Sequence, residues 1–415
     1  MTYLDTLGQN AKQAARLVRR LKASEKNKAL QSMAEALLQH QDQILEANQK
    51  DLAKGQANGL STALLERLTL NESRILGMVN GLKQIAGLDD PTLKTDSQWI
   101  NRDGLRISRR RVPLGVIGII YESRPNVTVD ATALCLKAGN AVILRGGKEA
   151  LESNQAIILA LQEGLSHTNV PMTAVQLITD PSRELATEFM QLNQYVDCLI
   201  PRGGAGLIQT VLKQATVPVI ETGVGNCHLY VHRAADLAMA QRILLNGKLQ
   251  RPSVCNALET LIVDASVANE FLPTAASALK EAGVEIVGDE AVLALVSEAE
   301  LATDIDYASE FLDYKLAIKV VDSYEQAIDH IDHYSTGHSE AIITNDYQTS
   351  QNFLNDIDSA CVYVNASTRF SDGEVFGFGG EIGISTQKLH ARGPMGLEAL
   401  TSYKYVIEGE GQVRG

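Results

Sequence analysis

The residue in this 415-residue chain best suited to covalent chemistry is Cys255. It sits in QRPSVCNAL, between a helical run from Asp236 to Gln250 and the strand-like LETLIVD, so it reads as part of a loop between elements. Loops on a rigid scaffold are where reactive side chains are often held. Backbone N–H groups near such a thiol favour the thiolate, which is the nucleophilic form. The competing reading of any one cysteine is a small buried hydrophobe. That reading suits Cys135, inside helical ALCLKAG, and Cys361, which opens the strand CVYVN, better than it suits Cys255.

Other residues could bind rather than react. The strand CLI runs into PRGGAGL, and the strand-like VPVI runs into ETGVGN. Glycine turns between strand and helix let backbone N–H groups approach a pyrophosphate. Neither turn is a GxGxxG fingerprint, and each alone is equally a tight turn. Arg145 and Lys148 follow the strand AVIL, where two cations could hold a phosphate or simply solvate a strand end. Glu221 closes VPVIE and could serve as a general base, a ribose ligand or a surface charge. The segment DHIDHYSTGH groups Asp329, His330, Asp332, His333 and His338 without a closed ligand set; a surface helix and turn is expected, with no metal. The run RISRRR (Arg106, Arg109, Arg110, Arg111) reads as an exposed hairpin strand.

The elements that must position these groups follow from composition and periodicity. The formal charge of −13 argues against a general nucleic-acid binder, which shows a basic footprint. Five cysteines with no CxxC pair argue against a disulfide framework or structural zinc, and suit a reducing cytoplasm. The N-terminus lacks a signal-peptide pattern, and apolar runs such as Val116 to Ile120 are too short to span a bilayer. Residues 1 to about 88 are helical, with Leu17, Val18 and Leu21 at helical spacing and Asn71 as an N-cap. WINRDGLRI is a hairpin turning at Asp103-Gly104. GVIGIIY, AVILRG, AVQLIT, CLIPRG, VPVIETG and HLYVH then read as buried strands alternating with helices, the pattern of a parallel α/β sheet. LETLIVD, EIVGD, KLAIKVVD, EAIITND and CVYVNA make a second such series. The tail ALTSYKYVIEGEGQ is a lone strand, which is expected to pair with another subunit's edge.

Taken in order, VPLGVIGIIYESRPNVTVDATALCLKAGNAVILRGGKEA, VDCLIPRGGAGLI, PVIETGVGNCHLYV, GKLQRPSVCNALETLIV and FGFGGEIGISTQKLHARGPMGLEALTSYKYV resemble the aldehyde dehydrogenase superfamily over nearly the whole chain, and within it the branch that reduces γ-glutamyl phosphate. The resemblance implies an aldehyde-dehydrogenase-like α/β fold of two parallel-sheet domains plus a small β oligomerisation element. The cofactor domain would take 1–92 and 113–226, the catalytic domain 227–392, and the oligomerisation element 93–112 and 393–415. Cys255 matches the family nucleophile and Glu221 the glutamate that precedes it. Arg145 stands where a lysine usually contacts the adenosine ribose, and Lys148 where NAD-preferring members often carry an acid, so the expected cofactor is NADPH/NADP+. Arg202, Gly203, Gly204 and Gly223 match turns along the cofactor, and Glu310 matches the glutamate that holds the nicotinamide ribose. Asn126 aligns, across a gap, with the asparagine of the oxyanion hole; the usual asparagine turn is replaced by YESRPNV. Arg124 and Arg392 are the candidates for substrate anions.

The implied reaction is NADPH-dependent reduction of L-glutamyl 5-phosphate to L-glutamate 5-semialdehyde and phosphate, through a Cys255 thioester, in proline biosynthesis. Such chemistry needs no water, which leaves Glu221 as a relic or a modest acid/base group. Homo-oligomers and contact with the upstream kinase, glutamate 5-kinase, are expected partners; nucleic acid and membrane are not. The alternatives are an oxidising, non-phosphorylating aldehyde dehydrogenase and a non-enzymatic α/β ligand-binding protein.

Overall fold

The computed structural model describes residues 2–414, which divide into two compact units. The first comprises 2–222, 377–383 and 395–414; the second comprises 223–376 and 384–394. Among the described residues no helix is long and apolar enough to cross a membrane.

The first unit begins with helices Tyr3–Val18, Ala23–Gln39, Gln41–Ala57, Thr62–Leu68 and Glu72–Gly87. Their ends carry the expected caps. Thr2 and Asp5 form a reciprocal capping box, and the Asn71 side chain accepts the Arg74 N–H at 2.8 Å. The helix Ala23–Gln39 buries Leu30, Met33 and Leu37 at helical spacing. Where it meets the helix Leu151–Ser166, Gly164 lets the backbones approach, and Ser32 Oγ donates to the Gly164 carbonyl at 2.8 Å.

Strands β1 (Thr95–Ile100) and β2 (Arg106–Pro113) form the antiparallel hairpin, with Gly104 at φ +82° in its turn. A four-stranded parallel sheet follows, built of β3 (Val116–Tyr121), β4 (Ala141–Arg145), β5 (Val175–Leu177) and β6 (Cys198–Arg202). Every residue of β3 is buried, as suits a parallel strand covered on both faces. The order β5-β4-β3-β6 puts successive strands on opposite sides of β3. The strand order therefore reverses at β3 and β6, and the carboxyl ends beside such a reversal are the usual ligand position in an open α/β sheet. The expected strand VPVI is not one: only Val219 bridges to Leu199. Pro218 has no N–H to donate and contributes its carbonyl alone, to the Leu199 N–H.

The second unit holds a seven-stranded, wholly parallel sheet of β7 (Cys227–Val231), β8 (Leu258–Asp264), β9 (Glu285–Gly288), β10 (Glu300–Leu301), β11 (Lys315–Val321), β12 (Ser339–Ile343) and β13 (Cys361–Val364), in the order β10-β9-β11-β8-β7-β12-β13. Alternate residues serve opposite faces. Leu229, Val231 and Leu261 pack with Leu244, Phe271 and Leu272, whereas Tyr230, Ile262 and Ile342 pack with Ile331 and Phe353. A short antiparallel pair, β14 (Ile384–Ser385) and β15 (Gly393–Pro394), completes this unit.

The terminal strand β16 (Thr401–Glu408) has a partner within its own chain. It pairs antiparallel with β2 along its whole length and completes a three-stranded sheet of the first unit. Of the RISRRR arginines Arg106 is exposed, and Arg109, Arg110 and Arg111 are part-exposed. Arg111 and Arg109 reach Asp96 at 3.1 and 3.6 Å, and the Arg109 guanidinium lies 4.9 Å from the centroid of the Tyr403 ring.

Two glycines give opposite expectations. Gly77 is exposed within the helix Glu72–Gly87 and has open space where a methyl group would sit, so Gly77→Ala should stabilise by about 1 kcal/mol. A Cβ on Gly164 would stand 2.7–2.9 Å from the Ser32 and Met33 backbone, so Gly164→Ala should destabilise by about 1–3 kcal/mol. Thermal or urea unfolding of the two variants reads both signs.

Candidate active site

Cys255 lies in the turn between the helix Leu237–Leu249 and β8. It is the one part-accessible cysteine; Cys135, Cys198, Cys227 and Cys361 are buried, and none of the five is in a disulfide. Burial pushes the Cys198 thiol up to about 12 and Cys227 well above its ordinary value, so both stay protonated and unreactive.

The backbone around Cys255 is tightly held. The β7/β8 pairing aligns Cys227 with Leu258, and so draws the residues before β7 onto the Cys255 turn. Gly225 presses against it: a Cβ there would stand 1.4 Å from the Cys255 carbonyl oxygen, so no side chain is possible. The Cys227 thiol donates to that same carbonyl at 3.3 Å. Glu310, half-buried and raised in pKa by desolvation, accepts the Gly225 N–H at 2.8 Å. On the other side Asn256 donates to the Ser371 carbonyl at 3.0 Å, and Thr368 Oγ1 donates to the Asn256 carbonyl at 2.8 Å.

The 368–371 turn thus clamped carries Arg369, whose Nε donates to Gln250 at 3.1 Å. Burial lowers the Arg369 pKa, the like charge of Arg251 adds to this, and Cys255 and Asp372 oppose it. Two guanidinium groups therefore bear on the Cys255 loop, and the sequence reading assigned neither. A signal for one was present, since Arg251 stands in the same QRPSVC block as Cys255. The other substrate candidate in this unit, Arg392, forks onto Asp358, with 2.8 Å to Oδ1 and 2.6 Å to the carbonyl. Gly223 donates to the Ile384 carbonyl at 2.8 Å, and a Cβ there would meet Thr386 at 2.2 Å.

The histidine segment departs from expectation. Asp329, Asp332 and His333 are exposed, but His330 and His338 are buried. His330 falls on the inner face of the helix Tyr324–Tyr334 with Ala327, Ile328 and Ile331, and packs edge-on to Tyr307. Desolvation pulls His330 down to about 3 and His338 to about 4, so both are neutral. No group of His, Cys, Asp or Glu fit to hold a metal occurs among the described residues.

In the first unit, the remaining candidates gather at the carboxyl ends of β3, β4 and β6. Arg145 ends β4 and donates to the carbonyls of Pro181 and Ser182 at 3.1 and 3.3 Å; its Nε is buried with no partner among the described residues. Lys148 is exposed in the short turn after it. In the YESRPNV turn Ser123 adopts φ +26°, held by its N–H and Oγ on Glu149 at 2.9 and 2.6 Å. Half-buried Arg124 precedes the helix Asn126–Lys137. Asn126 opens that helix, exposed, and donates to Asp130 at 3.0 Å; desolvation lifts Asp130 to about 6.

Arg202 closes β6, and exposed Gly203 and Gly204 lead into the helix Ala205–Gln214. The Gly204 N–H is given to Glu122 at 2.9 Å, so the turn offers an open backbone surface more than an anion hole. Half-buried Glu221 follows the Val219 bridge. A strand-order reversal, a side-chain-free turn and an unpartnered buried guanidinium nitrogen fit a dinucleotide laid across these strand ends.

A part-accessible cysteine loop on one parallel-sheet unit and a glycine turn at the strand-order reversal of another define a class of protein. The model of the aldehyde dehydrogenase family matches residues 3–310 and 316–406, and the chain belongs to that family. It is 58% identical to a gamma-glutamyl phosphate reductase of Moorella thermoacetica over 411 residues, covering 99% of this chain and 98% of that one. The crystal structure of a gamma-glutamyl phosphate reductase from Thermotoga maritima superposes with a TM-score of 0.98 at 48% identity, over 100% of both chains. An acetylating aldehyde dehydrogenase from Geobacillus thermoglucosidasius shares the fold, with a TM-score of 0.70 at 17% identity over 99% of this chain and 97% of that one.

Gly225→Ala is expected to displace the Cys255 peptide and lower kcat/KM by roughly 100-fold. Steady-state kinetics, with circular dichroism to confirm folding, checks this.

Proposed function

We propose that this protein reduces L-glutamyl 5-phosphate to L-glutamate 5-semialdehyde and phosphate with NADPH, in proline biosynthesis. It is an oxidoreductase acting on an acyl phosphate and its semialdehyde. One observation carries the reading. Cys255 alone among the cysteines is part-accessible, its backbone is locked, and it lies in a chain 58% identical throughout to a protein named for this reaction.

The Cys255 thiolate, favoured by Arg251 and Arg369, attacks the acyl carbon, and the C–O bond to phosphate breaks. Backbone N–H groups of the Cys255 turn hold the oxyanion; one such donor is typically worth roughly 10²–10³ in kcat. Arg251 and Arg369 also suit the departing phosphate, and Arg124 remains a candidate for the substrate carboxylate. Arg392 would have to exchange its Asp358 partner to take part. When bound, the nicotinamide cofactor supplies hydride to the Cys255 thioester. The thiolate is then expelled from the tetrahedral carbon, freeing the semialdehyde; the thiolate is a good leaving group for this step.

Arg145, Lys148, Arg202, Gly203 and Gly204 would hold the cofactor in the first unit, with Gly223 and Glu310 in the second. The cations at 145 and 148 favour a 2′-phosphate, hence NADPH. Asn126 and Glu221 are kept as secondary groups, for the oxyanion and for proton transfer. The same reading includes homo-oligomers, supported by exposed Trp99, Ile100, Tyr405 and Ile407 on the three-stranded sheet. It also includes contact with glutamate 5-kinase, which the lability of an acyl phosphate favours, and a cytoplasmic setting suited to thiols outside any disulfide.

In the reverse direction, NADP+ reduction with glutamate semialdehyde is expected to require phosphate. Phosphate-independent oxidation would mark a hydrolytic aldehyde dehydrogenase instead. Cys255→Ser is expected to abolish turnover and keep NADPH binding; near-normal activity in it would overturn the mechanism. Lys148→Glu should lower the NADPH-to-NADH ratio of kcat/KM by about tenfold or more, consistent with loss of one charge-assisted phosphate contact.

A further inference from the structure

We infer that the buried pair Lys248–Glu259 is a positioning device for the nucleophile, closing a ring of contacts that holds the Cys255 peptide in place. The inference rests on the reading of Cys255 as the nucleophile.

The ring lies wholly within the second unit. Lys248 sits in the last turn of the helix that precedes the Cys255 loop, and Glu259 is the second residue of β8 that follows it. Lys248 Nζ meets Glu259 Oε2 at 2.7 Å and the Leu258 carbonyl at 3.0 Å, so the pair staples the two ends of the loop together. Both side chains are fully buried. The second carboxylate oxygen of Glu259 accepts the N–H of Leu312 at 3.1 Å. Leu312 has φ +54°, a backbone conformation that a branched side chain resists unless its surroundings hold it. Two residues earlier Glu310 holds the Gly225 N–H, and Gly225 bears on the Cys255 carbonyl. From Cys255 the path therefore runs along the chain to Glu259, across to Leu312, back to Glu310 and Gly225, and returns to Cys255.

A buried ion pair is weak evidence for stability, because desolvating two charges offsets most of their attraction, and an apolar pair of similar volume often does as well. Position is what an apolar pair cannot replace. The carboxylate uses its two oxygens in two directions, one on Lys248 and one on the Leu312 amide, and so fixes the nucleophile loop and the Glu310 loop to each other. Burial pushes Glu259 up and Lys248 down, because desolvation disfavours both charged forms.

The test compares Glu259→Gln, which leaves the volume but unbalances the pair, with Lys248→Met/Glu259→Leu, which replaces it by apolar groups. In both variants, folded by circular dichroism, kcat should fall by about 100-fold. Alkylation of Cys255 by iodoacetamide should slow by roughly tenfold, as expected for a misplaced nucleophile. Exchange of the Leu312 amide should quicken. A merely structural pair predicts that the double variant recovers both kcat and the alkylation rate, and that recovery would overturn the inference. Should the double variant fail to fold, wild-type alkylation in folded Glu259→Gln overturns it equally. Leu312 exchange needs no substrate, so the ring can fail or stand separately from the outcome for Cys255→Ser.

Discussion

Gly225 and Cys255 meet backbone to backbone, and the arrangement of the second unit follows from that contact. It exists because β7 and β8 are neighbours in register, which sets the residues ahead of each strand side by side. The position of Cys255 follows. Cys255 stands at the amino edge of its sheet, whereas open α/β sheets usually hold ligands at the carboxyl edge, where strand order reverses. In this sheet the carboxyl-edge reversal between β7 and β12 is closed. His232 donates its N–H to Ile343, Asn345 donates to Ala234, and the His232 ring meets Thr344 Oγ1 at 2.9 Å. The first unit keeps the usual arrangement, with its candidate cofactor residues at the carboxyl ends of β3, β4 and β6.

Charge is organised locally against the overall sign. The chain is strongly acidic, yet Arg251 and Arg369 converge on the Cys255 loop, and Arg145 and Lys148 follow β4. A small anionic substrate or a dinucleotide requires only such local sites. The same economy of neighbours explains what each arginine can do. Arg392 is engaged by Asp358, and Arg109 and Arg111 by Asp96, whereas Arg369 gives one nitrogen to the neutral Gln250.

Much of the fold was legible because its strands are continuous apolar runs and its caps are local. GVIGIIY, AVIL, LETLIVD and KLAIKVV each became a strand, Asn71 capped its helix, and Asp103-Gly104 turned the hairpin. The failures have physical causes. VPVI is apolar enough for a strand, but Pro218 breaks its pairing. The histidine segment looked polar and exposed, although the helical period places His330 with Ala327 and Ile331 on the inner face; there the period outweighed residue type. The tail seemed unpartnered because its partner, β2, lies almost 300 positions earlier in the chain.

The sequence by itself determined the alternation that makes two parallel sheets, the loop that carries Cys255, and, by resemblance, the family. Those properties are local, or recur as blocks. Only the tertiary structure decided which groups hold that thiol. Gly225, Cys227 and Arg369 meet at Cys255, with Glu310 and Leu312 behind them on Gly225 and Glu259, because β11 inserts between β8 and β9 while β12 crosses to the far side of β7. Strand order is a non-local outcome of packing, and no spacing along the chain encodes it. Lys248 and Glu259 show this most plainly: in the sequence they are a helix residue and a strand residue, and only in the folded chain do they become one buried pair joining the two ends of the Cys255 loop.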